Sequence, residues 1–68
     1  MTEMVIIEGA IPRGWEEVPL KDGDRRLWFT LVGALITKSR IERDGGRAIV
    51  VQQAGHFEVH RLRKRKCE

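Results

Sequence analysis

The sequence predicts a mostly β domain: about five strands forming a small barrel or a strongly bent antiparallel sheet of the SH3-like or OB-like kind. Three observations lead there. Short β-branched or alternating runs recur at residues 4–7, 15–20, 47–53 and 56–62. Turn-forming pairs, Asp22-Gly23, Gly45-Gly46 and Ala54-Gly55, punctuate them. Between them lies an uncharged stretch, residues 27–36, whose two faces are both apolar and whose Gly33 would let a strand bend. The alternative is an α+β arrangement, with a helix at about residues 30–43 followed by a C-terminal β-hairpin, winged-helix-like, with the hairpin as the wing.

Sixty-eight residues hold one small domain. A chain of this length hides only about 60% of the surface that its unfolded form exposes, so its core is marginal and self-association to a homo-oligomer is favoured. Cys67 is the single cysteine, which rules out an intrachain disulfide. No apolar run approaches the ~20 residues of a membrane span, so no membrane partner is expected. The opening Met-Thr-Glu-Met-Val lacks the basic segment and apolar stretch of a secretory signal, and the expected location is cytoplasmic.

Taken in order, Met4-Val5-Ile6-Ile7 reads as a buried first strand ended by Gly9. Pro12 and Gly14 break the chain, and residues 15–20 alternate crudely between apolar and acidic. Pro19 confines that segment to a sheet edge, because it cannot donate to the ladder. Lys21-Asp22-Gly23-Asp24 is a hairpin turn. In the central stretch, Phe29, Thr30, Val32, Ile36, Thr37 and Ile41 favour a strand. Gly33 would cost about 1 kcal/mol inside a helix. The rival helix would be capped by Thr30 and ended by Asp44-Gly45-Gly46. Residues 47–53 and 56–62 form a hairpin about Ala54-Gly55. Phe57 and Val59 are expected to face the core, and His56, Glu58 and His60 to face out. The domain is expected to span residues 1–62, leaving 63–68 as a basic C-terminal tail that is mobile because it has nothing to bury.

Charge is the feature that bears on function. The formal charge is +3, but residues 1–24 carry −4 and residues 25–68 carry +7. Arg61, Arg63, Lys64, Arg65 and Lys66 place five cations within six residues. Runs of this kind attract phosphate backbones by releasing condensed counterions. The bland reading is a solubilising end, or a charged guard against strand addition. Arg43 and Arg47 flank the Gly45-Gly46 turn, which could approach a groove closely, and Arg40 shares a face with Lys38 in the strand reading; Arg40, Arg43 and Arg47 would set register on a nucleic acid. Trp15, Trp28 and His56 are the candidates for base stacking, although a core this small would normally absorb both Trp residues.

Chemistry has less to stand on. His56 and His60 share a strand face but would lie about 13 Å apart along the strand, too far for one metal ion. No metal, cofactor or catalytic residue is assigned. Ser39, the only serine, sits between Lys38 and Arg40, and Glu16 and Glu17 would point to opposite faces of a strand. The expected function is therefore a non-enzymatic module that binds nucleic acid, DNA or RNA, through its basic C-terminal strand and tail. The alternative is a small protein–protein interaction or inhibitory module that uses its acidic N-terminal third or exposed strand edges.

Overall fold

The computed structural model describes residues 4–65. Its elements run β1 (Val5–Glu8), β2 (Trp15–Pro19), β3 (Lys21–Asp22), β4 (Arg25–Arg26), α1 (Leu31–Arg43), β5 (Ala48–Gln53) and β6 (His56–Lys64). The mostly β expectation holds. The barrel does not: β1-β5-β6-β2 form an open antiparallel sheet with a margin at each side, and β3-β4 make a separate two-stranded ribbon.

The largest departure from the strand reading is α1. Residues 31–36, expected as a bent central strand, are its first two turns, as the alternative placed them. Each end of the helix has a specific device. The Thr30 hydroxyl accepts from the Gly33 N–H at 3.1 Å, and Thr30 itself is extended. At the far end Gly45 takes a positive φ of 91°. Gly45 N–H donates to Glu42 C=O, and Gly46 N–H to Ile41 C=O, which closes a Schellman motif. Lys38 and Glu42, one turn apart, pair at 2.8 Å. Strand propensities amount to tenths of a kcal/mol per residue, whereas two well-made caps and the burial of Ala34 and Ile41 against the sheet act together.

The hairpins are built as their turn residues dictate. Gly23-Asp24 joins β3 to β4 with Lys21 opposite Arg26. Ala54-Gly55 joins β5 to β6, and both residues take positive φ, 54° and 81°. That is the handedness of a type I′ turn, which matches the twist of the flanking strands.

Alternation along β5 and β6 splits the core into two layers. Ala48, Val50 and Val59 pack with Ala34 and Ile41 beneath the helix, joined by Leu20, Phe29 and Phe57. Ile49, Val51 and Leu62 form the opposite layer with Ile11 and Trp15. Glu58, opposite Val51, and His60, opposite Ile49, belong to this second layer. Both are buried, at 2% and 3% exposure. The expectation that His56, Glu58 and His60 face out is therefore corrected. It assumed a sheet covered on one side only, whereas Ile11 and Trp15 pack on the second side and Arg26 reaches Glu58 there.

Two margins were also misjudged. β1 is an edge strand, and Met4, Val5, Ile6 and Ile7 are exposed, not buried. β6 runs on to Lys64, where Arg63 pairs with Glu16 and Lys64 with Trp15, so the strand enters the expected tail. Lys66 and the rest of that tail lie outside the described residues. β2 is the other edge, as Pro19 required. Leu20 N–H donates to Val59 C=O, so strand alternation turns the Pro19 nitrogen outward, where no donor is needed.

Candidate functional site

β6 carries a candidate region at each end. At its C-terminal end the register gathers the cations. Arg61 lies opposite Ala48, the neighbour of Arg47, while Arg63 and Lys64 lie beside the start of β2. Arg65 N–H donates to Gly14 C=O, which ties the following residue to the turn that holds Arg13. Trp15 contacts two of these charges: the Arg47 guanidinium is 5.0 Å from its ring centroid and the Lys64 ammonium 5.9 Å. Both are cation–π contacts, and they fix the two side chains against a rigid surface.

The sequence-predicted cations are not all equivalent. Arg63 is held by Glu16 at 2.7 Å. Arg47, Arg61, Lys64 and Arg65 have no carboxylate within ion-pair distance among the described residues. Arg40 and Arg43 stand exposed on the last turns of α1, where they join Leu35, Ile36 and Ser39 around a shallow depression. As cations at a helix C-terminus they also suit the helix dipole, so their position has a structural reason.

The stacking candidates separate cleanly. Trp15 is a half-buried member of the second core layer. Trp28 is 69% exposed and lies flat against His56, with ring centroids 4.1 Å apart and planes within 16°. His56 in turn is held by Glu58, Nε2 to Oε2 at 2.6 Å.

Behind that contact runs a polar chain that the sequence reading did not foresee. His60 lies between two carboxylates, Nδ1 to Glu17 at 3.1 Å and Nε2 to Glu58 at 3.0 Å. Both contacts are hydrogen bonds when both ring nitrogens carry hydrogen, or when one carboxyl does. Arg26 adds a charge 3.6 Å from Glu58. Burial alone would push the Glu58 carboxyl up. The hydrogen bonds from His60 and His56, with the Arg26 and His60 charges, outweigh that and hold it below its ordinary value of 4.5. Glu16 and Glu17 diverge as alternation requires, Glu16 to Arg63 and Glu17 to His60. A signal was available, since Glu17 lies diagonally across from His60, the end of His-x-Glu-x-His, once β2 pairs with β6. Only that long-range register brings them together.

The N-terminal end of β6 borders a cleft of about 780 Å3 between the β3–β4 ribbon and the β5–β6 turn. Arg25, Arg26, Trp28, Gln53 and His56 are among its walls. Among the described residues no three His, Cys, Asp or Glu side chains are disposed to hold a metal ion. No helix among them is long and apolar enough to cross a membrane. No family model, no curated protein and no solved structure matches the chain.

Proposed function

We propose that this protein is a non-enzymatic nucleic-acid-binding module whose basic end, Arg47 and Lys64 beside Trp15 with Arg61 and Arg65 at the same end of the sheet, lies along a phosphate backbone. The observation that carries this reading is that these four cations share one end of the sheet and lack carboxylate partners among the described residues. Two of them are held against an indole. Cations immobilised in this way lose less side-chain entropy on meeting phosphate. Arg40 and Arg43, exposed on the last turns of α1, and Arg63 and Lys66 add long-range attraction. Fluorescence anisotropy with labelled DNA and RNA from about 50 to 200 mM salt tests it, because each phosphate contact contributes roughly 0.7–0.9 to the log–log slope. Replacing Arg61, Lys64 and Arg65 by Gln is expected to flatten the slope by about 2. Absence of salt-sensitive association with either nucleic acid removes the reading.

A second reading has its own observation. Met4, Val5, Ile6 and Ile7 on the open edge, with Leu31, Val32, Leu35 and Ile36 on α1, are exposed apolar residues. Exposed apolar residues at an open sheet edge suit a protein partner or a second copy of this chain. Ile6→Lys separates the readings: it is expected to abolish association with protein while leaving the salt-dependent binding of nucleic acid unchanged.

A further inference from the structure

We propose that the cleft at the N-terminal end of β6 receives one unpaired nucleobase, stacked on the outer face of Trp28. This rests on the nucleic-acid reading above and narrows it to ligands with bases outside a duplex.

Exposure and rigidity combine at Trp28. Indoles are usually drawn into a core, and this chain has little core to spare. Yet Trp28 is 69% exposed while Trp15 packs inside. An exposed ring is normally free to turn. Here one face is covered by the His56 imidazole in a near-parallel stack, and His56 is anchored by the 2.6 Å bond to Glu58. Glu58 is fixed by His60, and His60 by Glu17. Burying two ionisable groups, Glu58 and His60, in a chain this small is costly unless each is satisfied, and neither is left without a partner. The result is a ladder of side chains from the second core layer to a solvent-facing aromatic plane. A plane held still in this way is what stacking requires, since no ring rotamer has to be frozen on binding.

The cleft beside the ring has the size and chemistry for a nucleotide. Its volume of about 780 Å3 falls in the usual range of small-ligand sites. Leu27 and Ala54 supply apolar wall, while Asp22 accepts hydrogen bonds and Arg25 donates them. Gln53 uses its side-chain oxygen to receive Arg26 at 3.5 Å, which leaves its amide hydrogens for a ligand. Donors and acceptors therefore line the same cleft as the indole, as the mixed edge of a base needs. Arg25 has no ion-pair partner among the described residues and can meet the attached phosphate. The same chemistry is offered by a free nucleoside monophosphate and by an exposed base in a strand.

Two-dimensional NMR of the indole Nε1–H groups, with assignments from Trp28→Phe, is combined with anisotropy titrations of a single-stranded oligonucleotide, its duplex and adenosine monophosphate. The expected result is a shift of the Trp28 indole signal with the single strand and not with the duplex. Trp28→Ala should weaken single-strand binding about ten-fold or more and leave duplex binding unchanged. Trp28→Phe should retain most of the affinity because a flat ring remains. If nucleic acids bind with the expected salt sensitivity but Trp28→Ala changes nothing, the cleft proposal is overturned and the basic-end reading stands. If adenosine monophosphate alone shifts the Trp28 signal and no oligonucleotide binds, the cleft takes a free nucleotide and the basic-end reading fails. No shift with any of the three probes sinks the cleft proposal outright.

Discussion

At the scale of single residues, the two tryptophans should separate in a stability experiment. Trp15→Ala removes a ring packed on Ile49, Val51 and Leu62, and roughly 2–3 kcal/mol of loss is expected, since the ring is half-buried. Trp28→Ala touches mainly solvent and His56, so its effect on urea unfolding should stay within about 0.5 kcal/mol. Glu58 supplies a pH-dependent prediction. Its carboxyl is held below 4.5 in the folded chain, so its contribution is complete above that value. It is lost as the pH falls through the lower folded value. Glu58→Gln should therefore cost about 1–3 kcal/mol near neutrality, and the gap from the parent chain should narrow in acid below about 4.5. Urea midpoints measured across that range check both the size and the sign.

Among the elements, α1 and the β5–β6 turn depend on identifiable residues. Thr30→Ala removes the oxygen that receives the Gly33 N–H, and about 1 kcal/mol of stability with it. Ala54 is the one described non-glycine residue with positive φ. Asn is better suited to the first position of such a turn, so Ala54→Asn should raise the thermal midpoint, by the equivalent of up to about 1 kcal/mol. The hairpins were legible in the sequence because a turn's chemistry is carried by two adjacent residues: Ala54 and Gly55 fall as read, while the first turn falls on Gly23 and Asp24, one residue after the Asp22-Gly23 pair. α1 was harder: Val32, Ile36 and Thr37 prefer strands, and what overrides them is a sheet face made of Val50 and Val59, far along the chain. The cap residues Thr30 and Asp44-Gly45-Gly46 were visible, but their weight depends on the helix having something to cover.

For the molecule as a whole, the sequence revealed the charge asymmetry but not its layout. Bringing Arg47 and Lys64 to Trp15 needs the pairing of β2, β5 and β6, and so does enclosing His60 between Glu17 and Glu58. The two sheet margins invite a further measurement, sedimentation velocity over a range of concentrations. If chains associate through β1, a single larger species is expected, and Ile6→Lys should return it to monomer. The sheet's asymmetry sets that limit. Its β1 border offers unspent amide and carbonyl groups beneath an oily fringe, while its β2 border presents the hydrogen-free nitrogen of Pro19 and the acid of Glu16. Two chains that zip border to border would turn only shielded rims to the solvent, so stacking would stop at a pair instead of running on into a fibre.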